Sequence, residues 1–189
     1  MDLVIALEIM NSKQFTHRDL KLTNLMFDED YNIKIIDLGY AGLLFGQEKD
    51  GKDHETCGTP GYFTPEETRQ IPFYGYQSDT WALAVILFQL KFGVLPFECD
   101  AATPNHPPKP KRFKNIVYDP IENNWLYNKI KDNNSNDFWA HHLSDKKGKF
   151  ISDGFKSLIT RCFQFEASLR PHLSDIKGDS WLKKGKGTK

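Results

Sequence analysis

The stretch His17-Arg18-Asp19-Leu20-Lys21-Leu22-Thr23-Asn24 constrains this chain more than any other. Asp19 and Asn24 stand five positions apart, too far for one helical turn and never on the same face of a strand. A loop, however, can fold both toward one point. The next acid able to join them is Asp37, in Ile35-Ile36-Asp37-Leu38-Gly39. There a β-branched run delivers an aspartate to a strand end, and a glycine lets the chain turn away. Two aspartates and an asparagine are hard oxygen donors, a set that suits Mg²⁺ held jointly with substrate phosphates. The pattern points to phosphoryl transfer.

Composition narrows the setting. The chain has 189 residues and 21.8 kDa, enough for one domain with a real core. Lys plus Arg equals Asp plus Glu at 25 each, so no whole-chain basic footprint for nucleic acid or an anionic membrane is expected. The apolar runs fall far short of the ~20 residues that span a bilayer. Met1 to Glu8 lacks the basic region and small-residue cleavage site of a signal peptide. Cys57, Cys99 and Cys162 are odd in number and form no C-x-x-C pair, which fits a reduced intracellular, cytoplasmic protein.

Along the chain, Leu3, Val4, Leu7 and Met10 recur at helical spacing, with Ile5 and Ile9 widening the stripe. The spacing predicts a mostly buried helix over 2–13. Such a helix with nothing ahead of it to pack against implies a missing partner. Leu25-Met26-Phe27 and Ile33-Lys34-Ile35-Ile36 flank an acidic, Asn-containing turn and predict a short β-hairpin. Residues 37–66 are dotted with glycine and carry motifs at both ends, the mark of a functional loop. Pro65 followed by Glu66 and Glu67 reads as a helix start. Ser78 is expected to cap a central apolar helix, Trp81 to Leu90, that stops at Gly93. Further helices are predicted over 121–131, after Ser152 with Phe155, Leu158, Ile159 and Cys162 inward, and over 172–183. Phe138-Trp139 reads as a packing point and His141-His142 as a solvated loop. Thr103 to Lys114, rich in proline and lysine, reads as an exposed basic loop, and residues 184–189 as a disordered tail.

These motifs resemble, in order and over essentially the whole chain, the C-terminal lobe of a serine/threonine protein kinase. His17 to Asn24 is similar to that family's catalytic loop H-R-D-L-x-x-x-N. It is followed by Asp37-Leu38-Gly39, Thr64-Pro65-Glu66, Asp79 with Trp81, and Arg170. Lys21 and Gly58-Thr59-Pro60 resemble the serine/threonine branch, and Asp137 to His142 is similar to calcium/calmodulin-dependent or AMP-activated kinases. The implied fold is mainly α with a small β-hairpin, the C-lobe of the α+β protein-kinase fold over residues 1–183, with the N-lobe absent.

By that resemblance Asp19 orients or accepts the proton of a protein Ser/Thr hydroxyl, and Lys21 touches the γ-phosphate of ATP. Thr59 bonds near both. Asn24 and Asp37 hold Mg²⁺ ions, Met26 floors the adenine, and Asp79 anchors the loop backbone from the central helix. Glu66 and Arg170 match an ion pair, and His17 packs beneath the loop. Cys57 is expected to be a spacer rather than a redox switch.

The departures are informative. Leu38 replaces a phenylalanine and Thr64 an alanine. Thr23 stands where kinases preferring basic substrates carry Glu. Glu55 lies where relatives carry a phosphorylated residue, so it is expected to offer Arg18 a fixed charge, with Thr56 the competing phosphosite. The 189 residues contain no glycine-rich loop and no strand lysine with partner glutamate, so the isolated chain is expected to bind ATP poorly and turn over little. The rival expectation is a non-catalytic, kinase-derived module that binds protein partners.

Overall fold

The computed structural model describes residues 1–46, 48–100, 106, 116–117, 124–132, 134–144 and 150–184. Helix α1 (Asp2–Ser12) is followed by strands β1 (Phe15–Thr16), β2 (Leu25–Phe27), β3 (Ile33–Ile35) and β4 (Gly42–Leu43). Helices α2 (Pro65–Thr68) and α3 (Gly75–Phe92) come next, then strands β5 (Cys99–Asp100) and β6 (Ile116–Val117). The rest is helical: α4 (Trp125–Lys131), α5 (Ser135–Ser144), α6 (Asp153–Cys162), α7 (Leu173–Gly178) and α8 (Ser180–Lys184).

Helix α3 lies at the centre because its apolar residues leave no wet face until its last turns. Trp81, Ala84, Val85, Ile86 and Phe88 are wholly buried. Trp81 packs on Phe97, Tyr127 and Phe163, with ring centroids 4.9–6.3 Å apart. The helix ends at Gly93 in the left-handed region (φ 75°), as predicted. Its start differs from expectation. The helix begins at Gly75, and Ser78 sits inside it, donating its hydroxyl to the Glu67 carboxylate at 2.9 Å. The first turns are small and polar yet buried against neighbouring loops, so they carry no apolar period to read.

The predicted hairpin is present as β2 and β3, with Leu25 opposite Ile35 and Phe27 opposite Ile33. Asp28 shapes its turn by accepting from the N–H groups of Asp30 and Asn32 at 3.0 and 2.8 Å. Bonds of this kind, those from Asn32 above all, hold the Asp28 carboxyl down at about 2. Two further antiparallel pairs, β1 with β4 and β5 with β6, were not expected. Two-residue strands pairing across long sequence separations carry no alternation to detect.

Helix α1 buries Leu3, Val4 and Leu7, but Ile5 and Ile9 stay 38% and 57% exposed. The predicted last helix divides at Asp179, whose extended backbone (ψ 135°) breaks α7 and whose carboxylate accepts from Trp181 N at 2.8 Å to cap α8. Helix α4 starts at Trp125 behind an Asn124 cap, the earlier part of that expectation lying outside the described residues. So do the basic loop, apart from His106, and residues 185–189. His141 and His142 belong to helix α5 rather than a solvated loop. His142 is buried edge-on against Phe88 and Phe138 and meets the Pro96 carbonyl at 3.0 Å.

Candidate active site

The loop after β1 is hung from α3 by one carboxylate. Asp79, 1% exposed, accepts from the backbone N–H of His17 at 2.7 Å and of Arg18 at 2.9 Å. Burial pushes this carboxyl's pKa up, and the two N–H donors work against that shift. Arg18 takes a left-handed backbone (φ 61°), which turns the chain toward Asp19. His17 is fully buried beneath the turn. Its Nδ1 accepts from Asp19 N at 3.2 Å, so Nε2 carries the proton and donates to the Ile36 carbonyl at 3.1 Å. The expected packing role holds.

Asp19, Lys21 and Thr59 close a triangle. Lys21 Nζ donates to Asp19 Oδ2 at 2.8 Å and to Thr59 Oγ1 at 2.7 Å, while Thr59 Oγ1 donates to Asp19 Oδ1 at 2.7 Å. Asn24 Nδ2 donates to the Asp19 carbonyl at 3.0 Å, pinning the loop's far end to its middle. Asp19 and Asn24 are each only 5% exposed.

Asp37 stands beside this group without joining its hydrogen bonds. The preceding residue, Ile36, donates its N–H to the Asn24 carbonyl at 3.0 Å and accepts from His17 Nε2 at its own carbonyl. Asp37 itself has a left-handed backbone (φ 62°), is exposed, and accepts from Gly39 N at 3.3 Å. Met26 lies 55% exposed on β2, paired with Lys34. The structure thus gathers Asp19, Lys21, Asn24 and Thr59 into one hydrogen-bonded group, with Asp37 tethered next to it.

The expected pairing of Arg18 with Glu55 is not found. Arg18 Nη1 meets Asp53 at 2.7 Å and Nε donates to the Tyr40 carbonyl at 2.8 Å. Asp53 is placed there by a backbone pair with Phe73, at 2.8 and 3.0 Å, and is 6% exposed, whereas Glu55 stays in solvent. Burial raises the Asp53 carboxyl, and the Arg18 charge opposes it. Nothing in the spacing of residues 18 and 53 announced this contact. Thr56 donates its hydroxyl to the Glu67 carbonyl at 3.0 Å. Burial pushes the Cys57 thiol up, which disfavours the reactive thiolate and agrees with a spacer.

Two acids follow in α2, and they differ. Glu66 receives Arg170 Nη2 at 2.9 and 2.8 Å on its two oxygens, the pairing expected. Glu67 closes a capping box with Thr64, taking Thr64 N at 2.8 Å while Thr64 Oγ1 takes Glu67 N at 3.1 Å. Desolvation lifts the Glu67 carboxyl to about 7.

The protein kinase domain family matches residues 1–182 of the chain. CBL-interacting protein kinase 10 of Oryza sativa subsp. japonica is 43% identical over 183 residues, covering 97% of this chain and 34% of the relative. CBL-interacting serine/threonine-protein kinase 15 of Arabidopsis thaliana is 32% identical over 183 residues, 97% of this chain and 36% of the relative. The chain spans about a third of the length of these curated relatives. Among the described residues no helix is long and apolar enough to cross a membrane. With its family's catalytic-loop pattern folded into one bonded group and the match running over nearly its full length, the chain belongs to the protein kinase domain family.

Proposed function

We propose that residues 1–183 form the helical C-lobe of a serine/threonine protein kinase, which transfers the γ-phosphate of ATP to a protein Ser or Thr hydroxyl. The observation that carries this reading is the triangle of Asp19, Lys21 and Thr59. Asp19 orients the substrate hydroxyl and takes its proton. Lys21 offsets negative charge on the transferring group, and Thr59 fixes the distance between the two. Such catalysis is mostly positioning and charge stabilisation, which suits a prearranged, largely buried set. Met26 supplies apolar surface beneath the adenine.

The donor chemistry fits Mg²⁺. The Asn24 amide nitrogen is spent on Asp19, which leaves its oxygen for the ion beside the Asp37 carboxylate. Mg²⁺ is commonly held by one or two protein oxygens together with substrate phosphates and water, which two protein donors would suit. Held by Asn24 and Asp37, Mg²⁺ would supply positive charge to offset that of the phosphates.

The test uses native protein captured from source cells with an antibody against residues 103–115. Its size is read on a blot and its phosphate transfer to Ser and Tyr peptides is assayed beside an Asp19→Asn version expressed in the same cells. Transfer to serine that falls roughly 10²–10⁴-fold in the variant is expected. Equal transfer by both forms would overturn the assignment of Asp19.

A second reading, a non-catalytic module that binds protein partners, is favoured by one feature. An apolar groove of about 480 Å³ lies between α1 and β3, lined by Ile5, Ile9, Ile35 and Leu38. A native band near 21.8 kDa without phosphate transfer would select that reading.

A further inference from the structure

A second groove, of about 430 Å³, runs between the linker joining α2 to α3 and the segment ahead of Arg170. Its apolar surface comes from Ile71, Tyr74 and Phe165, and Ile71 is 41% exposed. Lys52 and Arg69 line it, and Lys131 stands over the Phe165 ring. Arg69 Cζ lies 4.7 Å and Lys131 Nζ 4.9 Å from the Phe165 ring centre, and Lys52 Nζ lies 5.6 Å from that of Tyr74. Two acids also line the groove, but Glu66 is spent on Arg170, which leaves Glu166. Two lining cations, Lys52 and Arg69, therefore face one unpaired lining acid, with Lys131 a further positive charge beyond Phe165.

These cations are held rather than loose. Each rests against an aromatic face, and Arg69 Nε is bonded to the Pro65 carbonyl at 3.0 Å. That bond leaves the two Nη groups of Arg69 to engage a carboxylate as a fork. No ion pair within 4.0 Å engages Lys52, Arg69 or Lys131 among the described residues.

We infer that this groove docks an acidic peptide segment of a partner protein, with carboxylates on Lys52 and Arg69, Lys131 adding positive charge at the rim beyond Phe165, and apolar side chains against Ile71 and Phe165. The alternating pattern of charge and apolar surface favours a peptide over a free anion. The groove shares no residue with the Asp19 group, so peptide docking and phosphate transfer stand or fall separately.

The test is fluorescence anisotropy of the full chain with a dye-labelled decapeptide of alternating Glu and Leu. Saturable binding is expected, weakened at least about tenfold by Arg69→Glu with Lys131→Glu and several-fold by raising salt from about 50 to 300 mM. Lys34→Glu, on β3 and already paired with Asp28, should leave it unchanged. If the double variant melts lower, Lys52→Glu and Lys131→Glu singly carry the comparison. No anisotropy change at millimolar protein, equal binding of a Lys-Leu decapeptide, or equal loss in Lys34→Glu would overturn the proposal. So would binding to phosphatidylserine vesicles in place of the peptide.

Discussion

Glu67 shows how one side chain can make stability depend on pH. It is 2% exposed, its hydrogen-bond partners Thr64 and Ser78 are neutral, and nearby Asp79 raises its carboxyl further. Its folded value of about 7 lies above the ordinary 4.5, so the native state holds the proton more tightly than the unfolded chain. The stabilisation is full below 4.5 and is lost as pH rises through 7, about 3 kcal/mol in all. Urea unfolding at pH 5 and pH 8 should show this loss in the native sequence and much less of it in Glu67→Gln. A variant whose pH dependence matched the parent would rule Glu67 out as its source.

At the scale of elements, the glycine-dotted segment 37–66 meets the loop carrying Asp19 at a tight approach. Gly58 has φ 105°, and a Cβ there would sit 2.6 Å from the Arg18 carbonyl. Gly58→Ala combines backbone strain with a clash against backbone, so a loss of about 2 kcal/mol or more is expected. Limited trypsin digestion should also cut faster at Lys52 as the segment lifts. Gly93→Ala makes the control: φ is 75°, yet nothing lies within 4 Å, so about 1 kcal/mol is expected from thermal melts. Similar losses at both sites would mean that the approach to Arg18 is not what constrains residue 58.

At the scale of the molecule, the Glu66–Arg170 pair joins residues 104 positions apart. Arg170 also donates Nε to the Gln164 carbonyl at 3.1 Å and lies 5.0 Å from the Trp81 ring centre, tying the pair to the core of α3. Its side chain is 1% exposed, so removing the partner strands a buried charge. Glu66→Ala should cost about 3–5 kcal/mol by chemical denaturation, and Glu66→Gln less because a hydrogen bond survives. A loss under about 1 kcal/mol for Glu66→Ala would show that water reaches Arg170.

By itself, the sequence determined the catalytic-loop pattern, the hairpin, the stop of α3 at Gly93 and the apolar faces of the main helices. Each of these is local: it depends on residue types within a few positions, where periodicity, turn chemistry and capping act. The tertiary structure alone decided that Asp53 rather than Glu55 meets Arg18, that α3 begins at Gly75, and that His142 is buried. It also decided that Glu67 loses its water while Asp28 keeps it. Those outcomes depend on what long-range packing brings against a side chain, and the energy of a charge follows the solvent it loses.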